Sequence, residues 1–129
     1  MTLPQSILII DDELNWRETM CRLLVKQFPN ARIINQSTFA EPLPPVDVIG
    51  LDLFLKCDWM DTLEILQARK NNLPPVVCFS GYADSMKAMI ESLKHGAHDF
   101  ISKERAMMDP NAFAEKLTLA HLRHHAAHH

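Results

Sequence analysis

Residues 7–13 read Ile7-Leu8-Ile9-Ile10-Asp11-Asp12-Glu13. A strand with one wet face would alternate apolar and polar residues. This run is continuously apolar and mostly β-branched, so it predicts a strand buried on both faces, as in a parallel sheet covered by helices. The run stops on acids. The same form recurs downstream. Val46-Asp47-Val48-Ile49-Gly50-Leu51 leads to Asp52, Val76-Val77-Cys78-Phe79 to Ser80-Gly81, and Asp99-Phe100-Ile101 to Ser102-Lys103. Arg32 to Asn35 is a further short strand, the second in chain order.

Helical patterns fill the gaps. Trp16, Met20, Leu23, Leu24 and Phe28 share one helical face, and Pro29 ends that helix. Ser37 to Glu41 leaves room for only a brief helix before Pro42, Pro44 and Pro45. Asp61 with Glu64 has capping-box spacing, followed by inward Leu63, Leu66 and Ala68 and fraying at Asn71-Asn72. Asp84 is placed to cap a helix whose apolar face is Met86, Met89, Ile90 and Leu93, with Gly96 just past its end. Asp109 caps and Pro110 starts a last helix, using Phe113, Leu117, Ala120 and either His121 or Leu122. A βα unit repeated five times requires parallel strands joined by right-handed crossovers, closed as a three-layer α/β/α sandwich. In such sheets the ligand crevice lies at the carboxyl ends of the strands, where strand order reverses.

The composition bounds the function. The chain has 129 residues, 47% of them hydrophobic and 22% charged, which suits one soluble globular domain. The net charge of −3 gives no footprint for non-specific nucleic-acid binding, so no direct contact with nucleic acid is expected. Only three glycines occur, Gly50, Gly81 and Gly96, which excludes a dinucleotide-binding Gly-rich loop and a P-loop. The three cysteines form no Cys-x-x-Cys motif: Cys21 and Cys78 read as small core residues and Cys57 as a loop residue. An odd, scattered set suits a reducing compartment. With no signal-peptide pattern and no stretch near membrane-span length, a cytoplasmic location is expected, with no membrane contact. Residues 124–129 read as a His-rich tail after a domain of residues 1–123. His124, His125, His128 and His129 allow metal-binding i, i+4 pairs, but a tag remnant or frayed end explains them more simply. His95 and His98 read as surface residues.

The chemistry lies at the strand ends. Strand one delivers Asp11 and Asp12, strand three Asp52, strand four Ser80 and strand five Lys103. Taken singly, these are a helix cap, with Asp12 the candidate, two turn residues and a surface lysine. Their coincidence on four strand ends points to a site. Three converging carboxylates disfavour joint ionisation, and a hard divalent cation such as Mg²⁺, or Mn²⁺ in its place, relieves them. Lys103 adds a positive charge and Ser80 a hydroxyl. Such a pocket fits a tetrahedral dianion beside a metal, which is a phosphoryl site.

With those residues in place, the sequence resembles the receiver domain of two-component response regulators, of the chemotaxis-regulator kind, from about Ser6 to the last helix. The matching motifs are Ile9-Ile10-Asp11-Asp12-Glu13, Leu51-Asp52-Leu53, Phe79-Ser80-Gly81 and Gly96-Ala97-His98-Asp99-Phe100-Ile101-Ser102-Lys103. The resemblance implies a flavodoxin-like (βα)5 sandwich with strand order 2-1-3-4-5. It implies that Asp52 accepts a phosphoryl group from a sensor histidine kinase or a phosphotransfer protein. Asp12 and Asp52 would ligate Mg²⁺ directly, Asp11 through water, and the backbone carbonyl of Phe54 would complete the protein ligands. Lys103 would pair with phosphoryl oxygens, Ser80 would move to bond them, and Phe100 would rotate inward as the readout. The chain would catalyse only its own phosphotransfer and dephosphorylation. A second copy or an effector would dock on the face made by the helix after strand four, strand five and the last helix.

Three departures stand out. Glu104 follows Lys103 where the family has Pro. A cis bond to a non-proline residue costs about 3 kcal/mol, so trans is expected, with the start of the last helix displaced. The loop after Asp52 is longer and lacks the family's Pro and Gly, which brings Trp59 towards the site. The second helix is short. Phe54 and Tyr82 flank the approach of a hydrolytic water and would slow dephosphorylation, unless Phe54 turns away over the longer loop. Met107 and Met108 read either as a loop packed on the core or as a partner site. One rival is a receiver-like interaction module that works without phosphorylation, but no acid, Asp52 or Lys103 is lost. Another is a haloacid-dehalogenase-type phosphatase, which needs an acid where Phe54 stands.

Overall fold

In the computed structural model, which describes residues 3–39, 42–53, 59–81 and 85–127, the apolar runs become one parallel five-stranded sheet. The strands are β1 (Ser6–Ile10), β2 (Arg32–Gln36), β3 (Val48–Asp52), β4 (Val76–Ser80) and β5 (Asp99–Ser102), in spatial order β2-β1-β3-β4-β5. The flavodoxin-like order 2-1-3-4-5 is therefore met. The helices are α1 (Leu14–Gln27), α2 (Trp59–Arg69), α3 (Ser85–Lys94), α4 (Lys103–Met108) and α5 (Pro110–Ala127). Strand order reverses between β1 and β3, where Ile10 pairs with Leu51. That is where the crevice belongs.

Side chains alternate across the sheet, so each strand feeds two cores. Ile7, Ile9, Val77 and Phe79 meet Trp16, Met20 and Leu24 of α1 and Phe113 and Leu117 of α5. Leu8, Ile10, Leu51 and Phe100 meet Leu63 and Leu66 of α2 and Ala88 of α3. Gly50 permits close approach on the first side: a Cβ there would meet Ile9 Cδ1 at 2.9 Å and Phe113 Cζ at 3.2 Å. Gly96 leaves α3 at φ +112°, the left-handed conformation that ends helices and that glycine adopts without strain. No helix among the described residues is long and apolar enough to cross a membrane.

The structure corrects several local expectations. Of the described residues in that stretch, Ser37 and Thr38 form bends and Phe39 is not helical, and Phe39 and Leu43 pack against the α2 side in place of a helix. Three nearby prolines remove the donors a helix needs. Arg69 closes that segment, its guanidinium 4.7 Å from the Phe39 ring centroid and its Nη1 donating to the Phe39 carbonyl at 3.3 Å. α2 begins at Trp59, so Asp61 sits in its first turn, where the helix dipole favours an acid, and not at the cap. Thr62, not Ala68, joins Leu63 and Leu66 inside.

α3 turns a different face inward from the one expected. Ala88 and Ser92 are buried and Met89 half-buried, while Met86, Ile90 and Leu93 are exposed. Small residues suit a helix packed close on the sheet, and Ser92 Oγ satisfies itself by donating to the Ala88 carbonyl at 2.7 Å. After β5 there is a separate short helix, not a loop. Without proline the chain turns straight into α4, capped by Ser102 Oγ, which accepts from Arg105 N–H at 3.1 Å. Met107 and Met108 lie on it, both exposed. α5 still starts at Pro110, where Asp109 Oδ1 accepts from Ala112 N–H at 3.2 Å. The helix runs on through His124 and His125 to Ala127.

Candidate functional site

β1 ends by placing Asp11 fully buried at the carboxyl edge of the sheet. Its backbone is held from two sides, by Asp11 N–H donating to Gln36 O at 3.1 Å and by Arg17 Nη1 donating to Asp11 O at 2.6 Å. Arg17 Nε also donates to Asn35 Oδ1 at 2.7 Å, which ties α1 to the end of β2. Asp11 Oδ1 accepts from Glu13 N–H at 2.8 Å. Asp12 does not cap α1. The cap position is Glu13, which makes no side-chain cap bond. Asp12 is instead half-buried beside Asp11.

β3 delivers Asp52, 1% exposed, and β4 delivers Ser80, equally buried. Lys103 follows β5 directly. Its Nζ lies 2.9 Å from Asp11 Oδ2, 3.4 Å from Asp52 Oδ2 and 3.9 Å from Glu13 Oε2. Burial works against the ammonium. The contact with Asp11 and the charges of Asp52, Asp11 and Glu13 outweigh that, and the Lys103 pKa is held above the ordinary lysine value. The ammonium also faces two aromatic rings, 5.0 Å from the Trp16 centroid and 5.9 Å from that of Phe79.

One oxygen from each of Asp11, Asp12 and Asp52 lies within 4.8 Å of the others, the single such group of potential metal ligands among the described residues. Asp11, Asp52 and Glu13 share the Lys103 ammonium and Asp12 adds a further carboxylate, so the cluster carries an excess of negative charge that a divalent cation would offset. Asp11 Oδ2 is buried without a hydrogen-bond partner among the described residues, its approach to Lys103 being an ion pair. An all-oxygen, acid-rich donor set with an under-satisfied oxygen fits Mg²⁺ or Mn²⁺.

Asp11, Asp12, Asp52, Ser80 and Lys103 thus come to one edge of the sheet, as the sequence pattern requires. The Phe100 ring is already inside, 6% exposed, opposite Cys78 in the β4–β5 register. It borders a cleft of about 430 Å³ that Met86, Met89, Arg105 and Lys116 also line. Phe54, Tyr82, Asp84, Cys57, His128 and His129 lie outside the described residues. Trp59 is half-buried against the α2-side core, with the Lys87 ammonium 5.8 Å from its ring centroid. His98 stands edge-on to His124 at 5.7 Å, and His121 lies 6.2 Å from His125, but no such metal-ligand group forms among the described histidines. Cys78 is buried and its thiol is pushed up to about 12, chiefly by burial; Cys21 is half-buried and also raised. Sequence reasoning passed over Arg17, Glu13 and the aromatic pair around Lys103. The one signal for Trp16 was its place a helical turn beyond Asp12, and its core periodicity hid that.

No family model matches the chain. A response regulator of Rickettsia bellii named as NtrX-like is 32% identical over 103 residues, 76% of this chain and 21% of that protein. The nitrogen assimilation regulatory protein NtrX of Azorhizobium caulinodans is 31% identical over 108 residues, 78% of this chain and 23% of that protein. The chain therefore spans under a quarter of the length of these relatives. Among solved structures, a response regulator receiver domain protein of Clostridium thermocellum superposes with a TM-score of 0.72 at 22% identity, covering 95% of this chain and 98% of that one. NtrX of Brucella abortus, solved with ADP, gives 0.67 at 20% identity over 98% of this chain and 29% of that one. A parallel sandwich in order 2-1-3-4-5, with an acidic crevice countered by one lysine, is the architecture of a two-component signalling module. The chain belongs to the response regulator receiver domains.

Proposed function

We propose that this receiver domain is a Mg²⁺-dependent switch that accepts a phosphoryl group on Asp52 from a sensor histidine kinase or a phosphotransfer protein. The observation that carries the reading is the buried Asp52 carboxylate, 3.4 Å from Lys103 Nζ and grouped with Asp11 and Asp12. An Asp52 oxygen attacks the phosphorus in line, the donor's phosphorus–nitrogen bond breaks, and the imidazole leaves with its electron pair and is reprotonated. Lys103 and the Ser80 hydroxyl would meet the phosphoryl oxygens. Bound at Asp11, Asp12, Asp52 and the Phe54 carbonyl, Mg²⁺ would supply neutralising charge. Movement of Ser80 then alters packing around Phe100, whose ring already borders the cleft beside α3. The face of α3, β5 and α5, with Met86, Ile90 and Leu93 exposed, is where a second copy or an effector docks.

The test is intact mass after incubation with acetyl phosphate and Mg²⁺. One added phosphoryl group is expected, abolished by EDTA and by Asp52→Ala. Unchanged labelling of Asp52→Ala would refute the site. No labelling of the unmodified chain would favour an interaction module that works without phosphorylation.

A further inference from the structure

Trp16 is a buried aromatic at 8% exposure, its ring centroid 4.4 Å from that of Phe79 and the planes tilted by 31°. Both rings lie within the ~6 Å over which an aromatic quadrupole attracts a cation, and the cation here is Lys103. Packing alone does not account for a tryptophan. Its indole Nε1 is buried without a hydrogen-bond partner among the described residues. An orphaned buried donor is unfavourable, and a phenylalanine, though smaller, would be apolar there with no donor to orphan. What indole adds over phenyl is the strongest π face for a cation. Lys103 has a use for that face. Its shortest ionic contact, 2.9 Å to Asp11, is with a carboxylate that a bound divalent cation also claims.

We propose that Trp16, backed by Phe79, is a positioning residue for phosphoryl transfer. Its ring holds the Lys103 ammonium beside Asp52 when a cation takes over Asp11, so the lysine charge stays aimed at the incoming phosphoryl group. The inference rests on the reading of Asp52 and Lys103 given above. Trp16 acts only through Lys103 and is given no contact with the phosphoryl group or the divalent ion.

The test compares Trp16→Phe and Trp16→Leu in the whole chain. Phosphorylation by acetyl phosphate at saturating Mg²⁺ is followed by intact mass, and thermal midpoints are taken in EDTA. Trp16→Phe loses the orphaned donor and keeps a weaker π face. Its midpoint should be equal or higher while its rate falls about threefold; Trp16→Leu, with no π face, should fall about tenfold. A core residue with no positioning role would instead lose stability in Trp16→Phe and leave the rate unchanged. That pattern, or unchanged rates in both variants, overturns the proposal. A second readout uses Trp59→Phe, in which Trp16 is the only tryptophan, excited at the red edge of indole absorption where Tyr82 does not contribute. Its emission should change on adding Mg²⁺ and further on adding acetyl phosphate, and Lys103→Met should remove both responses. If the unmodified chain gains no phosphoryl mass, the function reading fails, and the Mg²⁺ response alone decides the seat: an emission change lost in Lys103→Met upholds it, and none refutes it.

Discussion

Lys103→Met removes an ammonium that faces two buried carboxylates, with little change in side-chain length. Its Nζ lies 2.9 Å from Asp11 and 3.4 Å from Asp52. At an effective dielectric of about 20, each contact is an attraction of roughly 5–6 kcal/mol before desolvation. Desolvation takes back much of that, and removing one partner of a buried pair is measured at about 3–5 kcal/mol. The lysine side chain keeps 17% exposure, which favours the low end. About 3 kcal/mol, or a midpoint lower by roughly 10 °C for a domain of this size, is expected in EDTA. Mg²⁺ should stabilise the variant more than the parent, because the ion no longer competes with Lys103 for Asp11. Circular-dichroism melts with EDTA and with Mg²⁺ give both numbers. A loss under about 3 °C in EDTA, or a gap that does not narrow with Mg²⁺, would refute the account of Lys103 as a shared buried counter-ion.

Asp12→Asn removes one of three clustered carboxylates, so it should weaken Mg²⁺ binding at least roughly tenfold by calorimetry while raising the midpoint in EDTA slightly. Gly50→Ala forces a Cβ to 2.9 Å from Ile9 Cδ1, and a loss of about 1–3 kcal/mol in urea unfolding is expected; a neutral result would mean that α5 yields easily. The Cys78 thiol titrates near 12 in the folded state against about 8.5 unfolded, so its stability contribution is present below about 8.5 and lost as pH rises towards 12. Cys78→Ala should therefore flatten the alkaline limb of a stability profile between roughly pH 8.5 and 11, and an unchanged slope would place that loss elsewhere. Phe54→Asn with Tyr82→Glu is expected to hasten loss of the phosphoryl group, measured by mass against time, because the family resemblance implies that these positions flank the approach of a hydrolytic water; an unaltered decay would refute that role.

The sheet was legible because burial on two faces removes polar residues from a strand, and nothing else in the chain has four apolar runs ending in acids, Ser80 or Lys103. The helices were less so. Periodicity reports that apolar residues share a face of α3, but not that the face looks inward: Ala88 and Ser92 lie against the sheet with Met89 half-buried beside them, and Met86, Ile90 and Leu93 go outside. Capping signals misled at Asp12 and Asp61 for a related reason. An acid near a helix start is favourable over the whole first turn, so its position does not fix the first residue.

At the site the acids announced themselves, being unusual at the end of an apolar strand. The seat of the lysine did not, because an aromatic at core spacing looks the same whether it fills space or faces a charge. The charge balance shows why such a seat is needed. Asp11, Asp52 and Glu13 share one ammonium, Asp12 adds a further carboxylate, and a divalent ion would offset the excess negative charge. Once that ion is bound, the carboxylates that held Lys103 are shared with it, just as a phosphoryl group would need the lysine most. A neutral partner that attracts the ammonium without competing for the metal resolves that conflict. Trp16 is such a partner, 5.0 Å away and with no hydrogen bond for its indole among the described residues.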